Sequence, residues 1–346
     1  MPKPLKNTIC SDLIACIQWD AAQLLGSSEA SAVKHVKTLH NPYSETYLLE
    51  AQNKQSPLRI YVKIPHTSAA GAHIAKKRLM TEFNVMQALH QGSKAAKHGL
   101  FADVAQPLGY YPEYMALATV EAGTHTLRQH YRSAARLIYN GHSRELLLAE
   151  VKNTGTWLQK FQQHTLNRTG AFDATQFISY IKIRLEFLAQ VQGINFSSTL
   201  ANNVIAQVKK ISGKIDPATH QIAGRHNDFA SHNIIANQGK VRIIDFSMYD
   251  IGSSAYDPTY FWMDLEMLKL DLSYSRRFLS ELQTEFLAHY GSISPDSLAF
   301  ELVRCQYSIN RILTLHQNSM FPTPHNMYKK SVVTSCLSWI KKFASA

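Results

Sequence analysis

Residues 225–257 read RHNDFASHNIIANQGKVRIIDFSMYDIGSSAYD, and this stretch decides the fold. It opens with His226-x-Asp228-x-x-x-x-Asn233, continues through Ile234 and Ile235, and is punctuated by Asn237-Gln238-Gly239. Val241-Arg242-Ile243-Ile244 then leads into Asp245-Phe246. Two short apolar runs around an Asn/Gly turn read as a hairpin with polar loops at both outer ends. Such a hairpin sets Asp228 and Asn233 on one loop and Asp245 at the mouth of the next. Two carboxylates and an amide are what phosphoryl transfer requires. One carboxylate accepts the proton of an attacking hydroxyl, while the other and the amide oxygen hold Mg²⁺ on nucleotide phosphates. Asp and Asn also serve as ordinary turn residues, the plainer reading of the same pattern.

Working outward toward the N-terminus, Ser11–Leu25 has the spacing of a short amphipathic helix with Ser11 as its N-cap. Strand-like runs follow at Val33–Leu39, Glu45–Glu50 and Leu58–Ile64, the last alternating through Leu58, Ile60, Val62 and Ile64. Gly71–Gln91 carries Ile74, Leu79, Phe83, Met86 and Leu89 at helical spacing. Val104–Tyr111 and Tyr114–Val120 read as two more strands, parted by Pro112-Glu113. Thr119-Val120-Glu121-Ala122-Gly123 ends this run, with Gly123 permitting the chain to turn. Beyond it the pattern becomes helical over Thr126–Tyr139, Ser143–His164, Ala174–Gln192 and Ser197–Ser212, and again over Tyr260–Tyr290 and Asp296–Ala346.

The chain resembles the aminoglycoside phosphotransferase and choline kinase-like family, relatives of protein kinases. The resemblance is carried by His226-x-Asp228-x-x-x-x-Asn233, the apolar run into Asp245, and the closing Gly252 with Asp257-Pro258. Gly155-Thr156-Trp157-Leu158 through Phe161 and His164 adds a looser match. The resemblance implies an α+β, two-lobed protein kinase-like fold with a small antiparallel-sheet N-lobe and a mostly helical C-lobe. The nucleotide-binding lobe would be residues 1–121, including the helix at 11–25. The helical lobe would be 122–346, with a catalytic loop at 226–233 and a metal-binding segment at 245–257.

The same resemblance implies the roles. Asp228 is the catalytic base, and Asn233 and Asp245 are the Mg²⁺ ligands. Lys63 contacts the phosphates of ATP or GTP and is held by Glu82, a compact charge fixed by a carboxylate. His226 orients the loop, and Asp257 braces it by hydrogen bonds. Asn227 stands where many relatives carry Gly and tolerates a left-handed backbone. Thr119–Gly123 would be the hinge, where Glu121 and its neighbours meet the adenine edge. One departure is that the turn from His40 to Thr46 has no glycine. There Ser44 and Thr46 offer hydroxyls to the nucleotide, in a segment similar to the family's Ser-Asn-x-Thr-Tyr.

Composition fits these expectations. At 346 residues, 45% hydrophobic and 18% charged, the chain can bury a sizeable core. No apolar run is long enough to span a bilayer, and Asp12 interrupts any signal-like core, so the protein is expected in the cytoplasm. Four scattered cysteines suit a reducing compartment. The balance of 36 Lys+Arg against 25 Asp+Glu gives +11 and favours anionic partners. Lys329, Lys330, Lys341 and Lys342 flank an apolar end, Val332–Phe343, that could touch a membrane surface or dock as a C-terminal helix. Charge alone would also suit a nucleic-acid binder, but no matching motif accompanies it. A nucleotide-binding protein without catalysis is the other alternative, motivated by the glycine-free turn. The eight acids after Gly252 are scattered from Asp257 to Glu301 without a dense cluster, and none lies beyond Glu301. A polycationic aminoglycoside needs a carboxylate wall, so a neutral or anionic sugar, a glycoconjugate or an amino alcohol is the expected acceptor.

Overall fold

Alternation along β3 (Leu58–Pro65) sorts its side chains onto two faces. Ile60 and Val62 are fully buried against one core, while Lys63 points to the opposite face. The computed structural model describes residues 9–27, 32–52, 57–68, 71–95, 103–139, 141–191, 193–291, 293–315 and 324–346. Its contacts divide the chain into two units. One is Met1–His125 with Ile235–Asn237 and Arg242–Tyr249, and the other is Thr126–Ile234 with Gln238–Val241 and Asp250–Ala346.

The first unit holds α1 (Ser11–Leu24), β1 (Val33–His40), β2 (Ser44–Ala51), β3, α2 (Ala72–Ala95), β4 (Pro107–Tyr111) and β5 (Ala116–Val120). The five strands form one antiparallel sheet in the order β1-β2-β3-β5-β4. Leu13, Ile17 and Ala21 of α1 pack on Tyr47, Leu49, Ala51, Ile60 and Val62, the inward set of β2 and β3. Cys10, not Ser11, caps α1, its sulfur accepting from the Leu13 N–H at 3.4 Å. The fourth strand is shorter than its apolar pattern suggests. Val104 lies outside it because it pairs with Ile243, a partner far away in sequence.

The second unit contains α3 (Leu127–Ala134), α4 (Gly141–His164), β6 (Arg168–Thr169), α5 (Ala174–Gln190), α6 (Ser198–Ser212) and β7 (Gln221–Arg225). Along the chain β8 (Ile234–Asn237) and β9 (Lys240–Ile243) then pair as a two-stranded sheet, of which Ile235–Asn237 and Arg242–Ile243 belong to the first unit, and β10 (Asp250–Ser253) follows in the second. Gln238 and Gly239 both have left-handed φ, 48° and 80°, as a two-residue hairpin turn demands. Four helices finish the chain: α7 (Tyr256–Leu268), α8 (Arg276–Tyr290), α9 (Leu298–Leu315) and α10 (Pro324–Ala344). The expected continuous helix over Tyr260–Tyr290 is broken because Asp271 accepts from the Ser273 N–H and Ser275 caps α8.

Ile181, Leu185, Val204, Met263, Leu302 and Ile309 mark the principal core of this unit. Val332, Cys336, Ile340 and Phe343 of α10 lie in that core, so the apolar face of the C-terminal helix is buried. Among the described residues no helix is long and apolar enough to cross a membrane. Gly155 lets α4 and α8 approach closely. A Cβ there would stand 2.5 Å from the Phe286 carbonyl oxygen, which is why this position in α4 takes glycine.

Candidate active site

Thr46 and Lys63 are cross-strand partners on β2 and β3. The Lys63 ammonium donates to Glu82 Oε2 at 3.0 Å and to Asp245 Oδ1 at 2.9 Å. Glu82 comes from α2 and is buried, so its carboxylate can hold the lysine stem in one place. Asp245 follows β9 with φ 65°, a left-handed conformation that Asp tolerates better than most residues. The Ser247 hydroxyl also donates to Asp245 Oδ1, at 2.6 Å. Burial by itself would lower the Lys63 pKa, but Glu82 and Asp245 outweigh it and hold the ammonium above its ordinary range. Burial pushes Glu82 up to about 7, with Lys63 opposing that rise and the charge of Asp245 adding to it.

Elsewhere in this unit, Ser44 is buried at the start of β2, and Thr46 is half-buried. The Glu121 N–H donates to the Arg59 carbonyl at 2.8 Å. Its carboxylate accepts from the Arg59 guanidinium at 3.2 Å and from the Tyr61 hydroxyl at 3.3 Å. Gly123, at φ 145°, leaves no room for a side chain, since a Cβ would meet Ile235 at 2.7 Å.

In the second unit, the loop after β7 is built around Asp257. This carboxylate is fully buried and accepts from the backbone N–H groups of His226 at 2.7 Å and Asn227 at 2.9 Å. Burial raises its pKa, while those two donors favour the ionised form. Asn227 takes φ 64°, and its amide donates to Asp250 Oδ1 at 2.8 Å. Arg225 makes a bidentate pair with the same Asp250, at 2.8 and 2.7 Å, and runs over Gly252, where a Cβ would lie 2.4 Å from the guanidinium carbon. The ring of His226 is buried, and its Nδ1 accepts from the Asp228 N–H at 3.3 Å. Phe229 anchors the loop from beneath, stacking on Trp157 of α4 with ring centroids 5.8 Å apart.

Held in this way, Asp228 keeps a half-exposed carboxylate. Asn233 Nδ2 donates to the Asp228 carbonyl and to its Oδ2, both at 2.9 Å. That fixes the amide, leaving the Asn233 carbonyl oxygen as the atom available to a cation. The Asn233 carbonyl oxygen and, in the first unit, the Asp245 carboxylate are each hard oxygen donors of the kind Mg²⁺ takes. Among the described residues no cluster of three or more His, Cys, Asp or Glu could hold a metal by itself.

Sequence reading passed over His232. Its Nε2 lies 3.5 Å from Asp228 Oδ2, and the hydrogen bond to that carboxylate raises the imidazole pKa. The signal was present as a histidine directly before Asn233, but nothing in spacing alone turns it toward Asp228.

Asp257→Ala leaves two buried N–H donors unpaired and should destabilise the protein by about 2–6 kcal/mol. Calorimetric unfolding would show it, with Asp257→Asn less affected because one acceptor remains.

No family model matches the sequence, and no curated protein matches it. Solved structures do. The aminoglycoside phosphotransferase APH(2'')-Ib bound to ADP is 15% identical, with a TM-score of 0.52 over 94% of this chain and 98% of that one. A glucosamine kinase in complex with glucosamine, ADP and inorganic phosphate is 12% identical, with a TM-score of 0.54 and the same coverage of both chains. A choline kinase from Cryptosporidium parvum is 11% identical, with a TM-score of 0.50 over 90% of this chain and 89% of that one. The chain therefore has a protein kinase-like fold. More narrowly, it has the form of that fold found in aminoglycoside phosphotransferases, glucosamine kinase and choline kinase.

Proposed function

We propose that this chain is an ATP-dependent phosphotransferase that moves the γ-phosphoryl group to a hydroxyl of a small molecule. The observation that carries the reading is Lys63 bridging Glu82 and Asp245, the latter 182 positions away in sequence. A half-buried lysine held between two carboxylates from remote segments is costly scaffolding unless it meets an anion. In this reading Lys63 contacts the nucleotide phosphates and Glu82 keeps its stem in place. Asn233 and Asp245 hold Mg²⁺, which neutralises phosphate charge when bound. Asp228 orients the acceptor hydroxyl and takes its proton, and Asp257 keeps that loop in shape. ATP is favoured here because two of the structural neighbours are complexes with ADP. Ser44, Thr46 and Glu121 are assigned to nucleotide binding on their position in the chain. The acceptor is a neutral or anionic sugar, glycoconjugate or amino alcohol, because the chain carries +11 and offers no dense acidic segment after Gly252.

The test is thermal unfolding with ATP and Mg²⁺. A ligand at ~100 times its Kd stabilises the folded form by about 2.7 kcal/mol. The expected result is a rise in Tm that shrinks when Mg²⁺ is chelated, together with ADP release when a hydroxyl acceptor is added. An unchanged Tm refutes the nucleotide part. A Tm rise without turnover on a broad acceptor panel favours a nucleotide-binding protein without catalysis.

A further inference from the structure

Helix α3 buries Leu127, Tyr131 and Ala134 at helical spacing and leaves Arg128 and Arg132, one turn apart, exposed. The helix contains no acidic residue. Thr126 is its N-cap, so Arg128 sits in the first turn, where the helix dipole disfavours a cation, and Arg132 repeats the charge at i+4. The first-turn placement of Arg128 and the like-charge i,i+4 pairing cost helix stability, whereas Arg132 by itself, in the last turn, suits the dipole. Their setting indicates what that cost serves.

The Arg128 N–H donates to the Ser231 carbonyl at 3.0 Å, joining the start of α3 to the loop that carries Asp228. Arg128 is also near enough to His232 for its charge to oppose the rise that Asp228 imposes on that imidazole. At the other end, Arg136 pairs with Tyr274 in an antiparallel bridge. The Leu137 N–H donates to the Ser273 carbonyl at 3.0 Å, and the Ser275 N–H to the Ala135 carbonyl at 2.9 Å. Burial raises the Tyr274 phenol, and the charges of Arg136 and Arg132 act against that rise. Arg128, Arg132 and Arg136, all exposed, thus recur every four residues along the segment whose backbone is tied to the Asp228 loop at one end and to residues 273–275 at the other.

The nearby acids are committed elsewhere. Asp264 takes the Arg311 guanidinium at 2.7 Å and the Tyr307 hydroxyl at 2.8 Å. Asp271 takes the Ser273 N–H and hydroxyl, and Glu150 takes His130 at 2.6 Å. Among the described residues neither Arg128 nor Arg132 forms an ion pair.

We propose that Arg128 and Arg132 determine acceptor specificity by receiving an anionic group, phosphate or carboxylate, carried by the hydroxyl compound whose OH meets Asp228. The inference rests on the phosphotransferase reading above and names the charge of its substrate. Guanidinium groups bind phosphate and carboxylate through paired hydrogen bonds, a geometry lysine cannot reproduce. Arg136, bridged to Tyr274 through the backbone, closes the series. The residues set binding and orientation of the acceptor, while the proton transfer stays with Asp228.

Matched acceptor pairs test this on the whole protein: glycerol against glycerol phosphate, and glucose against glucose phosphate and glucuronate. Wild-type kcat/KM is expected to favour an anionic member of a pair by about tenfold or more, the effect of one charged hydrogen-bonded contact. In the Arg128→Gln/Arg132→Gln double variant that preference collapses, mainly through KM, while the MgATP-induced Tm shift matches wild type. The Arg128→Lys/Arg132→Lys variant recovers part of it. The same probes are also read by thermal stabilisation with Mg²⁺ and a non-hydrolysable ATP analogue, which needs no turnover. Here the anionic probes should stabilise the wild type more than their neutral partners, and the Gln variant should lose the difference. Wild-type indifference to probe charge in both readouts overturns the inference. So does a Gln variant that keeps the preference. A Gln variant with a diminished MgATP shift would assign the arginines to the nucleotide instead and overturn it too. A wild type with no MgATP shift refutes the phosphotransferase reading itself, whereas a normal shift with charge-blind acceptor use refutes only this inference.

Discussion

Asp228→Asn should lower turnover by ~10²–10⁴-fold, the range a positioned general base contributes, while leaving the MgATP-induced Tm shift intact. The substitution is nearly isosteric. Asn can still accept from Asn233 Nδ2, which reaches Asp228 Oδ2 at 2.9 Å in the native loop. The supports of the loop do not involve this carboxylate: Phe229 stacks on Trp157, and Asp257 receives the His226 and Asn227 N–H groups. What disappears is the charge and the ability to take a proton from the attacking hydroxyl. A second readout is independent of activity. His232 is raised by its hydrogen bond to Asp228, so in the variant its imidazole should titrate at lower pH by NMR. Turnover within a few-fold of wild type would remove Asp228 from the chemistry. An unmoved His232 titration would contradict the 3.5 Å contact.

The loop around Asp228 was legible because its chemistry is local. Eight residues hold Asp228, Asn233 and the buried Phe229, and the turn at Gln238-Gly239 announces the hairpin. Periodicity placed Lys63 on β3 and Glu82 on α2, and the family resemblance implied their pairing, which the 3.0 Å contact bears out. The sheet β10-β7-β6 was not legible. Its strands have two to five residues, and Gln221–Arg225 offers little alternation for a period-2 reading. The end of α3 was hidden for a different reason. The helical pattern runs on to Tyr139, but Arg136 pairs with Tyr274, and only the folded chain brings that partner near. The arginine row shares this difficulty. Arg128 and Arg132 are plain in the sequence, whereas the Ser231 carbonyl that sets Arg128 beside the Asp228 loop is a tertiary fact.

Asp245→Asn should abolish most of the Mg²⁺-dependent part of nucleotide binding and reduce turnover by ~10²–10³-fold, as loss of a preorganised charge stabiliser does. Asn is a cleaner replacement than Ala. Position 245 has φ 65°, which Asn tolerates and which would add about 1–2 kcal/mol of backbone strain to Ala. The Tm of the nucleotide-free variant should hold or rise. Lys63 keeps its 3.0 Å bond to Glu82, and two carboxylates no longer compete around one ammonium. The sign follows from Glu82. Burial first, and the Asp245 charge in addition, raise its pKa from 4.5 to about 7. A carboxyl raised on folding costs stability progressively as pH climbs through that interval. Removing the Asp245 charge lowers the Glu82 value, so the variant should lose less stability than wild type between pH 4.5 and 7. Calorimetry across that window, paired with MgATP titrations at neutral pH, separates the two effects. A variant that binds MgATP as tightly as wild type would take Asp245 out of the metal site. Normal loss of MgATP binding with a steeper pH dependence would instead show that Asp245 supports the Lys63–Glu82 pair more than it strains it.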